Sequence, residues 1–155
     1  MSVITNRRLG SAPTVPPAPS PSATLDLLAA ARRGLTAAAL ATSAADRYAA
    51  AHLAALRAAA AVLASRATPR RGSRNAWVLL ARVAPELSEW AAFFASSAGA
   101  RAAIEAGRVG AVSARQADDL MRDAETFLGL IEALLLRGSA ATAPATLQVT
   151  TSLTR

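Results

Sequence analysis

The sequence predicts an all-α protein: an antiparallel bundle of four to five helices between two tails. Three observations carry this. Apolar residues recur at three- and four-residue steps from about Thr24 to Arg137, no segment alternates as a strand should, and Ser-x-x-acid/amide boxes open two of the apolar runs. A chain of 155 residues holds one domain with a real core and is too short for two ordinary ones. Residues 1–22 are read as a disordered Pro-rich tail, 23–137 as the bundle, and 138–155 as a disordered Ser/Thr/Ala-rich tail.

The opening segment ends in VPPAPSPS, where proline removes amide donors and favours extended backbone. The first helix is placed at about Thr24 to Ala41. Asp26 stands in its first turn, and Leu28, Ala31, Leu35 and Ala38 form one stripe. Ser43-Ala44-Ala45-Asp46 has the form of a capping box and starts the second helix, which runs to about Arg66. Leu53, Leu56, Ala60 and Leu63 make one stripe, and Tyr48, His52, Ala55, Ala59 and Val62 its neighbour. Two adjacent stripes suit a central helix, and the alanines let other helices approach closely.

Thr68 to Arg74, TPRRGSR, is punctuated by Pro and Gly and reads as a loop, with Ser73 as a cap for a helix over Asn75 to Val83. Pro85 breaks that helix and begins the next, Glu86 to Ser97, which carries Leu87, Trp90, Phe93 and Phe94. A short helix around Ala100 to Ala106 is expected to end at Gly107. Ser113-Ala114-Arg115-Gln116 is a second capping box. The last helix follows it, with Ala117, Met121, Ala124, Leu128, Ile131 and Leu135 in one seam and Leu120, Phe127 and Leu134 beside it. Asp118 and Arg122 are spaced for an i,i+4 pair, and Gly138 is expected to stop the helix.

Composition removes several function classes. There is no cysteine, so disulfides, thiolate metal sites and thiol nucleophiles are excluded. A single histidine, His52, makes a His-rich metal site or a Ser-His-Asp triad hard to build. Asp119 and Asp123, one turn apart, alternate with arginines as a solvated helix face does, and no metal or cofactor is expected. Tyr48 to Ser65 is the most apolar stretch, but His52 and Arg57 interrupt it, whereas a membrane span wants about 20 apolar residues with few charges. With no apolar segment behind Arg7 and Arg8 to serve as a signal, the expectation is a cytoplasmic protein without a membrane partner.

The formal charge is +7, and every basic residue is arginine. Alanine and arginine both have GC-rich codons, so composition accounts for part of this charge. Its distribution is more informative. Between Asp46 and Glu86 stand seven arginines and no acid, and Arg66, Arg70, Arg71 and Arg74 gather around one loop. Forked guanidinium donors at that density suit phosphate groups, so these four are the expected nucleic-acid-binding residues. Arg47 and His52 form an Arg-x4-His pair, which in an RNA-cleaving bundle binds a scissile phosphate and moves protons. Five residues turn a helix by roughly 140°, so the two converge only near a frayed end or across a dimer interface. The alternative for His52, one turn after Tyr48 on an apolar stripe, is packing in the core.

RYAAAHLAALRAAAAVLA (Arg47 to Ala64) resembles the second helix of HEPN domains. NAWVLLARVAPELSEWAAFFA followed by SARQADDLMRDAETFLGLIEALL is similar to an uncharacterised actinobacterial branch of that superfamily. The resemblance covers Thr24 to Arg137. It implies a small helical bundle and, in active members, a metal-independent RNase site built on an Arg-x4-6-His motif, usually across a dimer. That motif commonly lies near the last helix, where this chain has Arg115 and Arg122 but no histidine; its one match, Arg47 with His52, lies in the second. The expectation is therefore a non-catalytic bundle that binds RNA, nucleotide or a protein partner as a homodimer. A metal-independent RNase using Arg47 and His52 is the second reading, and a structural interaction scaffold the third.

Overall fold

A computed structural model describes residues 19–66 and 72–142. Among these the chain forms five α-helices and no strand: α1 (Pro21–Leu40), α2 (Ala44–Ser65), α3 (Ala76–Val83), α4 (Ser88–Glu105) and α5 (Ala114–Thr142). A 3-10 turn, Pro85–Leu87, joins α3 to α4. The all-α bundle is as the apolar periodicity requires.

The start of α1 lies beside the end of α2: the Ser20 amide donates to the Ala64 carbonyl at 2.9 Å, and the Thr24 hydroxyl points to the Ala61 carbonyl. These two helices are therefore antiparallel, joined by a connection of only three residues. The start of α5 meets the start of α2, because the Arg47 guanidinium pairs with Asp118. So α2 and α5 run the same way, while α1 and α4 run back. This up-down-up-down order normally keeps diagonal helices apart. Here α2 packs against α1, α3, α4 and α5 alike. Its alanines make this possible: Ala51, Ala54, Ala55, Ala58, Ala59 and Ala61 are all fully buried. Of the two expected stripes on α2, the one through Tyr48, His52, Ala55, Ala59 and Val62 is buried. Leu53, Leu56 and Leu63 are only half-buried, and the remaining fully buried positions are alanines. A helix flanked on several sides has room for methyl groups on its most crowded faces and for leucines only at their margins.

By length and mean hydropathy α2 is the one described helix able to cross a membrane. It is instead the axis of the core. Around it the aromatic rings form a continuous cluster: Phe94 stacks on Trp77 with centroids 5.2 Å apart, and meets Trp90 at 6.0 Å and Phe127 at 5.1 Å. Leu80, Leu87, Val62 and Ile131 close the core.

Several boundaries differ from the sequence reading, each for a local reason. α1 starts at Pro21 rather than Thr24, with the Ser20 hydroxyl accepting from the Ala23 amide. Proline is well suited to a first helical position, where its missing amide would have no partner anyway. Asp26 is consequently beyond the first turn. Asn75 is a cap and not a helical residue: its Oδ1 accepts from the Trp77 and Val78 amides at 2.9 and 3.4 Å, while Ser73 supports Asn75 itself. The segments expected at Glu86–Ser97 and Ala100–Ala106 are one helix, since Gly99 is tolerated within α4. Gly138 likewise does not stop α5, which continues to Thr142. The Ser43 box shows its hydroxyl arm, to the Asp46 amide at 3.1 Å, and the Ser113–Gln116 box shows both arms, at 3.1 and 2.8 Å. The remainder of both expected tails, residues 1–18 and 143–155, lies outside the described residues.

Candidate functional site

Arg47 sits in the first turn of α2, and its reach is used to tie three helices together. One guanidinium nitrogen pairs with Asp118 at the start of α5, and the other donates to the Ala41 carbonyl just beyond α1 at 3.0 Å. Its Nε is buried with no hydrogen-bond partner. Asp118 is thereby taken from the expected pairing with Arg122, which bonds Asp119 instead. Asp119 is also faced by Arg115 at 3.9 Å.

His52, five residues on, points into a different part of the fold. It is 2% exposed. Its ring meets Trp77 and Phe94 edge-on, with centroids 6.0 and 6.4 Å away. Nε2 lies 3.2 Å from the Phe94 carbonyl. A carbonyl only accepts, so the ring carries its proton on Nε2. Nδ1 is buried without a partner. Burial pushes the His52 pKa below its ordinary value of 6.5, opposed by the bond to the Phe94 carbonyl, with Arg101 lowering it further and Glu105 raising it. The structure therefore gives Arg47 and His52 separate partners and does not bring them together within one chain. In this arrangement neither ring nitrogen of His52 is open to a substrate.

A neutral buried imidazole has a consequence for stability. Below about pH 6.5 the unfolded chain takes up a proton that folded His52 resists, so stability falls as pH drops through that range and levels off below the depressed folded value. His52 is the chain's sole histidine, which leaves the interval just below neutrality to this one side chain. Glu86, held below the usual carboxylate range by its bond to Arg66, titrates at lower pH. Urea midpoints at pH 7.5, 6.5 and 5.5 are expected to decrease for the wild type and to stay level for His52→Leu. Parallel pH profiles for the two proteins would show that His52 does not carry the effect.

The basic loop divides into used and unused charge. Arg66 is a clamp across the α3–α4 junction: it donates to the Val83 carbonyl at 3.0 Å and pairs with Glu86 at 2.7 Å. Arg74 is exposed and lies in no ion pair among the described residues. Arg70 and Arg71 lie outside the described residues. The fold adds Arg82, from the last turn of α3. Its guanidinium lies so close over Gly72 that a Cβ there would stand 2.8 Å from Nη1. Gly72 also has a φ of +115°, a conformation open to glycine at little cost. Both features make it the residue that lets Arg82 fold back onto the loop. Arg82 was visible in the sequence as one of seven arginines, but its distance of ten residues from Gly72 concealed that its side chain folds back onto that glycine. Arg74 and Arg82 are exposed cations, and Arg70 and Arg71 precede Gly72 in the sequence. Exposed guanidinium groups can bind phosphate oxygens by charge and hydrogen bonding.

No curated protein and no solved structure matches the chain. A HEPN-like domain model matches residues 38–132, from the end of α1 through most of α5 and well over half of the chain. With the helix order and the buried α2–α5 core already in place, the chain belongs to the HEPN superfamily of helical domains.

Proposed function

We propose that this HEPN domain is a non-catalytic nucleic-acid-binding bundle that holds the RNA backbone at the loop between α2 and α3. The observation that carries the reading is two exposed arginines without an ion pair among the described residues: Arg82, folded over Gly72, and Arg74, two residues further along the same loop, whose sequence also contains Arg70 and Arg71. The burial of His52 and the commitment of Arg47 to Asp118 and Ala41 support binding over cleavage, because both groups of the Arg-x4-His pair are used in holding the fold. Recognition at such a loop is of phosphates and hence weakly dependent on sequence.

The test is fluorescence anisotropy with an end-labelled single-stranded RNA across a salt series. Wild-type affinity is expected to fall steeply with salt. Arg74→Ala and Arg82→Ala are each expected to weaken binding on the order of three- to tenfold at low salt and to reduce the salt slope by about one. Arg115→Ala, a distant exposed control, is expected to change little. Unaltered affinity in the Arg74→Ala/Arg82→Ala double variant would sink this assignment. The same samples in EDTA, resolved on a gel, read cleavage. RNA cut by wild type but not by folded Arg47→Ala and His52→Ala would replace binding with metal-independent RNase activity.

A further inference from the structure

The chain carries 10 acids against 17 arginines. Five described acids are engaged by arginine: Asp118, Asp119, Glu86, Glu105 and Glu132. Two that are not, Glu89 in the first turn of α4 and Asp123 on α5, line the same open cleft together with Trp90 and Phe93. Asp123 follows directly on Arg122, which pairs with Asp119 one turn before it.

The aromatic floor has a defined shape. Trp90 and Phe93 meet with centroids 6.2 Å apart and planes at 87°, so the two rings form a corner. Phe93 is 40% exposed although it is one of only three phenylalanines in the chain, and the adjacent Phe94 is fully buried. Ring faces carry partial negative charge and attract cations, and a carboxylate on either helix adds full charges of the same sign. A planar guanidinium stacks on one ring while its fork of N–H donors reaches a carboxylate; an ammonium offers no such plane.

We infer that the cleft between α4 and α5, formed by Glu89, Trp90, Phe93 and Asp123, binds an arginine side chain presented by a partner polypeptide. Charge complementarity selects this occupant: an anionic or purely apolar ligand would leave two carboxylates facing it without compensation. The site shares no residue with the arginine loop after α2, so the two assignments stand or fall separately.

The probe is a fluorescein-labelled Gly-Arg-Gly-Arg-Gly peptide, compared with the same peptide in which citrulline replaces arginine. Citrulline preserves the planar shape and removes the charge. Full-length wild type is expected to bind the arginine peptide at least tenfold more tightly than the citrulline peptide, with affinity falling as salt rises. The isosteric double variant Glu89→Gln/Asp123→Asn is expected to lose that preference while keeping the wild-type circular dichroism spectrum and unfolding midpoint. Phe93→Ala is expected to weaken binding of the arginine peptide severalfold. Equal affinity for the two peptides, or an arginine preference that survives the double variant, would overturn the assignment. RNA binding by the double variant should remain at the wild-type level, which separates this result from any failure of the loop assignment.

Discussion

Phe94→Ala is expected to bring the domain close to unfolding. Phe94 is fully buried and touches Trp77, Trp90, Phe93, Phe127 and His52, so it joins α2, α3, α4 and α5 through one ring. Truncating such a residue removes its transfer free energy and leaves a cavity that the surrounding rings cannot close, a loss of about 3–5 kcal/mol. Small domains have only about 5–15 kcal/mol of stability in total. Phe93→Ala, one residue earlier and 40% exposed, is expected to lose about 1 kcal/mol or less. Urea unfolding followed by circular dichroism measures both. Similar losses for the two variants would mean that α4 does not present Phe94 to the core as described. The buried His52 bond to the Phe94 carbonyl uses the backbone of the same residue, so the side-chain deletion also disturbs a buried polar contact.

Gly34→Leu is expected to part α1 from α2 and destabilise the fold by about 2–3 kcal/mol. Gly34 is buried on α1, and a Cβ placed there would stand 3.1 Å from the Ala54 Cβ, inside normal contact distance. Leucine would require the two helices to separate along the seam that also holds Ala31 and Ala38. Gly34→Ala distinguishes this from a helix-propensity effect. Alanine is favoured over glycine within a helix by about 1 kcal/mol, and here that gain is opposed by the close contact with Ala54, so the net change is expected to be near zero. A clear stabilisation by Gly34→Ala would show that the seam yields more readily than its distances suggest. A Gly34→Leu protein as stable as the wild type would overturn the close packing of α1 on α2.

The same alanine and glycine positions explain what sequence reading could and could not see. The large residues Leu120, Phe127, Leu128 and Ile131 mark the core face of α5 at recognisable spacing, and all are buried. On α2 the pattern is ambiguous, because alanine appears on nearly every face and its burial depends on which neighbour arrives. Of the two adjacent stripes expected there, the one through Tyr48, His52, Ala55, Ala59 and Val62 is buried, while Leu53, Leu56 and Leu63 stay at the margin because α2 is closely packed by several helices. The ends of helices divide in a similar way. Ser43, Ser113 and Gln116 announce their caps through a local bond between residues three apart. Gly138 was misleading as a stop, since a glycine inside a helix costs only about 1 kcal/mol and the flanking turns outweigh it.

For the sites, residue type was legible and partnership was not. The sequence singled out Arg47, His52, Arg66 and Arg74, and it contained the arithmetic that a helix turns Arg47 away from His52. Only the tertiary structure showed Arg47 bound to Asp118 across 71 positions, Arg66 neutralised by Glu86, and Arg82 returned to Gly72. It also brought Glu89 and Asp123 to one cleft lined by Trp90 and Phe93, although no local pattern relates them.

Taken by itself, the sequence determined the fold class, the approximate helices and two of their caps, because apolar periodicity and capping act within a few residues of the chain. The choice of which alanines are buried, which arginines keep their charge free and whether His52 meets water was decided by the tertiary structure. Those properties depend on desolvation and on contacts between helices, and both are set by distant residues brought together through packing.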